Sequence, residues 1–284
     1  MKFLVLGCNG MAGHMISIYL SENGHNVTGY ARKKSRFVET VIGDAQDTKL
    51  LSQTIKNDNY DAVINCVGIL NKFAEEDHES AAFLNAYLPH FLSKIGRETD
   101  TYIIHMSTDC VFSGKKGQYK EGDLRDGESF YDRSKALGEL DDGYSVTLRN
   151  SIVGPDIKKT GIGLMNWFMQ QKGPVKGFKR AIWTGQTTLQ LAKTMEQAAI
   201  QRPHGIYNMV PECSISKYEL LKLFNKIRSN PIEIIPEENF AADKSLMRTR
   251  YEGFDYKIPD YETMVSELGD WMKCHKNLYP HYYI

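Results

Sequence analysis

Cysteine is sparse and scattered. The five residues, Cys8, Cys66, Cys110, Cys213 and Cys274, never fall in C-x-x-C spacing. That argues against a disulfide framework or a zinc site, so no metal is expected, and it fits a reducing compartment. A charge surplus is lacking too: 35 basic residues balance 35 acidic ones. Such a chain shows no electrostatic footprint for nucleic acid or an anionic membrane, and neither partner is expected. No apolar stretch approaches the roughly 20 residues that cross a bilayer. The opening apolar run stops at Gly7, too short for a signal-peptide core. The expected location is the cytoplasm. Internal repeats, low-complexity tracts and coiled-coil heptads are also missing, which excludes a solenoid or fibrous chain. What remains, 284 residues with 42% hydrophobic and 25% charged, suffices for one large α/β unit or two small domains.

Chemistry concentrates in two neighbouring stretches. Ser107-Thr108-Asp109-Cys110-Val111-Phe112 ends an apolar run, Tyr102 to Met106, that reads as a buried strand. Tyr131 and Lys135 follow in a segment that reads as helix, and positions four apart on a helix share a face. The ammonium is expected to favour the phenolate and lower the phenol pKa. A hydroxyl from Ser107 or Thr108 would complete a hydrogen-bonding trio around a carbonyl oxygen. Reversible hydride transfer needs such a proton donor where alkoxide charge develops.

The start of the chain supplies a setting. Phe3 to Leu6 reads as a buried parallel strand, Gly7-x-x-Gly10-x-x-Gly13 follows, and Met11 to Asn23 has helical periodicity. Strand, glycine turn and helix form the context of a dinucleotide fingerprint, with pyrophosphate at the helix N-terminus. The same turn also fits a packing role alone. A second strand, Asn26 to Ala31, ends without the acid that would bind a ribose 2′-hydroxyl. Arg32, Lys33, Lys34 and Arg36 stand there instead, which favours a 2′-phosphate, hence NADP over NAD, unless the turn is merely solvated. Asp44 falls where a carboxylate could accept from adenine, or could cap the helix from Thr48. A fourth strand, Ala62 to Asn65, leads to Cys66-Val67-Gly68 at the sheet edge. A helix is expected over about 80–97, with Asn85 inside it as a structural hydrogen-bonder. Val146 to Arg149 is a sixth strand. This alternation implies an α/β fold with a doubly wound parallel sheet. After Gly154 the pattern changes to an amphipathic helix around 165–169, a helix over 188–200, a strand over 205–210, a helix over 216–227 and a mixed aromatic tail.

The glycine turn, the Ser107–Phe112 stretch, Tyr131-x-x-Ser134-Lys135 with Gly138-Glu139 after it, and Leu148-Arg149 together resemble the extended short-chain dehydrogenase/reductase superfamily. Within it they resemble the dTDP-4-dehydrorhamnose reductase family. The resemblance implies a Rossmann domain over 1–153 and a smaller substrate lobe over 154–284, with about 183–210 packing back on the sheet. It implies a cofactor held by Gly7, Asn9, Gly10, Met11 and Gly13, by Arg32 and Lys33, by Asp44 and Ala45, by Cys66, Val67 and Gly68, and near Asn85. Thr108 would be the catalytic hydroxyl, Tyr131 the proton donor, and Lys135 the residue that holds the nicotinamide ribose and tunes Tyr131. NADP(H) is preferred, with NAD(H) open. The partner is a nucleotide-sugar whose 4-keto group is reduced, in cell-surface polysaccharide synthesis; a homodimer is compatible with the sequence. Alternatives are a 4-epimerase, a dehydratase, or a non-catalytic NADP-binding regulatory subunit. Cys110 stands where dehydratases carry a glutamate and where this family usually has an aromatic. Gly127-Glu128-Ser129-Phe130 replaces the family's Pro-x-Asn before the tyrosine.

Overall fold

The computed structural model describes residues 1–284. Seven parallel strands form the main sheet: β1 (Lys2–Leu6), β2 (Asn26–Ala31), β3 (Glu39–Ile42), β4 (Ala62–Asn65), β5 (Tyr102–Ser107), β6 (Val146–Arg149) and, from much later in the chain, Gly205–Asn208. From one edge to the other the order is Gly205–Asn208, then β6, β5, β4, β1, β2, β3. The order reverses between β1 and β4, and ligands of such sheets bind outside the carboxyl ends of the strands at that point.

Side chains alternate across each strand, so this sheet builds two cores. Phe3 and Val5 join the larger, with α1 (Met11–Glu22) and the later helices; Leu4 and Leu6 join the smaller, with α2 (Thr48–Lys56). The helix expected over 80–97 is longer and interrupted. After a short α3 (Asn71–Glu76), it runs as α4 (His78–Ala81), a π-helical segment Ala82–Tyr87 that contains Asn85, and α5 (Leu88–Thr99). The next helix, α6 (Phe130–Leu137), carries Tyr131 and Lys135.

Beyond β6 the chain forms β7 (Ser151–Val153), α7 (Leu164–Met169), β8 (Val175–Trp183), β9 (Gly185–Thr187), α8 (Thr188–Gln201), β10 (the Gly205–Asn208 strand), β11 (Ile215–Ser216), α9 (Lys217–Ile227), β12 (Ile234–Asp243) and α10 (Tyr261–Cys274). A separate three-stranded sheet, β11-β8-β12, packs on α9. The tail that reads as mixed in sequence thus contains a ten-residue strand and a helix whose buried face is Tyr261, Met264, Val265, Leu268 and Met272. No helix is long and apolar enough to cross a membrane.

Candidate active site

Two cavities of about 440 and 620 Å3 lie along the carboxyl edge of the parallel sheet and share Gly10 and the Cys66–Leu70 turn. One holds Tyr131, Lys135 and Thr108; the other holds Arg32 and Asp44.

The glycine turn joins them. Gly7 takes a left-handed φ of 78° and its N–H donates to the Tyr30 carbonyl at 2.9 Å. A Cβ on Gly13 would collide with the Gly7 backbone, so the third glycine lets α1 start against the turn. Gly10 caps α1 without a side-chain hydrogen bond, and no acid stands in the first turn. The free N–H groups and positive end of that helix are therefore uncompensated, a setting for an anion. Met11 lines the first cavity. Asn9 donates from Nδ2 to the Lys33 carbonyl at 2.8 Å and ties the basic turn to the glycine turn. Arg32 lines the second cavity; the Lys33 side chain is exposed and does not. The cap of α2 is Asp47, which accepts from Leu50 N–H at 3.0 Å, so Asp44 is not that cap. It accepts from Gln46 N–H at 3.0 Å and lines the cavity beside Ala45.

Asn85 is turned elsewhere. Its Oδ1 accepts from Ile69 N–H at 2.9 Å, and its Nδ2 donates to the Ile69 carbonyl at 2.9 Å and to Ser134 Oγ at 3.1 Å. Expected near the cofactor, it lines neither cavity; fully buried, it clamps the turn after Gly68 to α6. Ser107 lines the first cavity, but its hydroxyl donates to Glu139 Oε1 at 2.7 Å, which leaves Thr108 as the candidate hydroxyl. Thr108 Oγ1 donates to Asp109 at 3.1 Å and accepts from Cys110 N–H at 3.2 Å.

Helix α6 opens with a reciprocal cap: Asp132 N–H donates to Ser129 Oγ at 3.0 Å, and Ser129 N–H to Asp132 Oδ2 at 3.3 Å. Ser129 is one of the residues that replace the family's Pro-x-Asn, and it sets the register of Tyr131. Tyr131 and Lys135 do share one cavity wall, but their electrostatics differ from expectation. Burial pushes the Tyr131 phenol up, Cys110 adds to this, and the Thr108 hydroxyl opposes it. The lysine reaches past the phenol to β5, where Nζ donates to the Met106 carbonyl at 2.8 Å, and burial lowers it to about 8. In this arrangement desolvation outweighs charge.

Behind the wall lies a buried ion network. Glu139 accepts from Arg149 Nε at 2.8 Å and Arg149 Nη2 at 2.7 Å, and also pairs with Arg125. Burial raises the carboxyl, but Arg149 with Arg125 and Ser107 outweighs it and holds Glu139 below the ordinary range.

Sequence reasoning passed over a strap, residues 154–163. Asp156 and Ile162 line the first cavity and Lys158 the second. Asp156 N–H donates to Tyr282 Oη at 2.9 Å, and a Cβ at Gly163 would stand 3.0 Å from Met11 Sδ, so the strap rests on the start of α1. Each carboxylate lining the second cavity has a partner: Asp44 accepts from Gln46 N–H, Asp77 accepts from Ser80 N–H, and Glu76 forms an exposed ion pair with Lys72. The two cations, Arg32 and Lys158, have no carboxylate partner. The signal available was the run Gly154-Pro155 to Gly161-x-Gly163 with two lysines inside it.

Residues 1–271 match the family model of the RmlD substrate binding domain. The chain belongs to this family. Over 143 residues it is 32% identical to a probable low-salt glycan biosynthesis reductase of Haloferax volcanii, covering 49% of this chain and 48% of that protein. It is 27% identical over 142 residues to a dTDP-4-dehydrorhamnose reductase of Salmonella typhimurium, 49% of this chain and 46% of the other. The subunit beta of methionine adenosyltransferase 2 from Xenopus tropicalis is 28% identical over 141 residues, 49% and 41%. These matches span less than half the length of each relative. Among solved structures, a hypothetical dTDP-4-dehydrorhamnose reductase from Sulfolobus tokodaii aligns over 92% of this chain and 98% of its own, with TM-score 0.76 and 26% identity. The Bacillus anthracis dTDP-4-dehydrorhamnose reductase in complex with NADP shares the RmlD fold at TM-score 0.78 and 15% identity, over 94% and 98%.

Proposed function

We propose that the protein is an NADPH-dependent reductase of the 4-keto group of a nucleotide-linked 6-deoxy-hexulose, in glycan biosynthesis. One observation carries the reading: Thr108, Tyr131 and Lys135 line a cavity that opens directly onto the one framed by the glycine turn, Arg32 and Asp44. The cofactor fit rests on the uncapped start of α1 and on the two cations without carboxylate partners. Gly7, Gly10 and Met11 would hold the pyrophosphate, Arg32 the 2′-phosphate, and Asp44 with Ala45 the adenosine. When bound, a reduced nicotinamide supplies the hydride.

The chain's own part is the proton. A phenol raised by burial stays protonated at neutral pH, so Tyr131 Oη is the donor to the oxygen on which alkoxide charge develops. Thr108 Oγ1, beside it, orients that oxygen. The Lys135 ammonium, buried on the same wall, favours the phenolate left behind. Cys110 in place of a carboxylate speaks against dehydration.

NADPH oxidation with 4-keto-6-deoxy sugars linked to dTDP, UDP or GDP tests this. Turnover lost in Tyr131→Phe, with NADPH binding kept, supports it. Binding without turnover on any of them would turn the reading to a non-catalytic NADP-binding subunit.

A further inference from the structure

His105 is fully buried on β5, behind the wall that carries Tyr131 and Lys135, and no step above uses it. Its ring nitrogens face two different groups. Nδ1 lies 3.2 Å from the Asn65 side-chain nitrogen, and Nε2 lies 3.5 Å from Lys135 Nζ. The Asn65 amide is oriented by its other end, since Oδ1 accepts from Val67 N–H at 3.1 Å. Its NH2 therefore donates to His105 Nδ1. A neutral ring that accepts at Nδ1 carries its hydrogen on Nε2. Burial, with the Lys135 charge and His90 adding to it, holds His105 well below its ordinary value and so neutral.

An Nε2–H aimed at an ammonium sets donor against donor. Aimed at a neutral amine it donates into the lone pair. We propose that His105 is a positioning residue for Lys135: its Nε2–H, fixed by Asn65, favours the neutral amine and so sets the pH at which the wall of the site loses its positive charge. Other groups facing the lysine are Tyr131 on its own helix, Glu139 just past that helix's end, Cys66 just after β4 and the Met106 carbonyl on β5. Burial lowers the amine; Glu139 and Cys66 oppose. Thr147, paired with His105 across β6, has its hydroxyl engaged by Leu140 N–H at 2.7 Å and by the Leu140 carbonyl at 3.1 Å. On the reading in which Lys135 acts as a cation, the device gives turnover an alkaline limb.

The experiment uses the protein alone. Two-bond proton–nitrogen NMR of histidine-labelled protein reads the His105 tautomer, and the lysine Cε carbon shift follows Lys135 as pH rises. The expected results are Nε2–H in the wild type and, in His105→Phe, a Lys135 titration about one pH unit higher. His105→Gln, whose amide N–H can face Nζ, returns it toward the wild-type value. An Nδ1–H tautomer, or a Lys135 titration unmoved in folded His105→Phe, overturns the proposal. Should His105→Phe not fold, the wild-type tautomer still decides. Neither cofactor nor sugar enters the measurement, so inactivity toward keto-sugars would remove the reductase reading and leave this one standing.

Discussion

Replacing Lys135 by Met should yield a protein that is inactive and, near pH 7, more stable. The lysine is 5% exposed, and burial takes its amine from the ordinary 10.5 to about 8. A group lowered by folding destabilises the fold for as long as it stays charged. Below about pH 8 both folded and unfolded chains hold the proton, and the cost is full. Between about 8 and 10.5 the folded chain sheds it while the unfolded chain keeps it, so stability rises with pH through that window. A gap of about 2.5 on the pH scale corresponds to roughly 3 kcal/mol. Met fills a similar volume without charge. It leaves the Met106 carbonyl without the Nζ donor, which costs about 1 kcal/mol. The net gain is about 2 kcal/mol, or several degrees in Tm. Thermal unfolding followed by circular dichroism at neutral pH and again near pH 10.5 reads it. A variant that melts below wild type at pH 7, or whose advantage is the same at both pH values, would refute the reasoning.

Glu139→Gln should cost about 3–5 kcal/mol, since it leaves the Arg149 guanidinium buried without its carboxylate; the paired change Glu139→Leu with Arg149→Met should recover most of the loss in the same melts, and no recovery would mean the two do not act as a pair. Because Glu139 is held below its ordinary value, its contribution is present at neutral pH and lost as pH falls through the folded value. Arg32→Asp should move the kcat/KM ratio from NADPH toward NADH by at least tenfold, about 1.4 kcal/mol; an unmoved ratio removes Arg32 from the 2′-phosphate. Lys158→Ala should weaken NADPH binding roughly fivefold, about 1 kcal/mol for one partly screened charge, and flatten its dependence on ionic strength. Fluorescence titration at two salt concentrations checks this, and an unchanged salt slope would take Lys158 off the cofactor.

The parts of the fold legible in the sequence are those where one residue type has one physical use. Phe3 to Leu6, a short apolar run stopped by glycine, reads as a buried strand and is one, and glycine at 7 and 13 meets a left-handed φ and a helix start too close for a Cβ. The i, i+4 spacing brought Tyr131 and Lys135 to one wall. It could not say how far the lysine reaches, because a four-carbon stem can stop beside the phenol or pass it to Met106, and only the depth of the cavity decides. The strap at 154–163 was illegible for a similar reason. Its residues are polar and glycine-bracketed, as in any surface loop, and its place over α1 depends on Tyr282, far along the chain. The π-helical segment at Asn85 has no residue signature of its own; within it the Asn85 side chain bonds to Ile69 and Ser134, both distant in sequence.

Tyr131 and Lys135 are aimed from both ends of a helix only eight residues long. At its start, the reciprocal bonds of Ser129 and Asp132 fix the first turn, and Tyr131 N–H donates to Glu75 Oε1 at 3.2 Å. Past its end, Gly138 lies so close to the π-helical segment that a Cβ there would collide with the Asn85 carbonyl. Glu139, the next residue, is locked to Arg149 on β6. The glycine and the glutamate after the lysine thus act as one device, the first permitting contact with the helix behind and the second anchoring to the sheet below. A methyl group at Gly138 would push the helix end off Asn85 and swing the lysine one turn earlier, while the capped start held Tyr131 nearly still. The separation of phenol and amine, more than the position of either, is therefore the quantity that Gly138 and Glu139 protect.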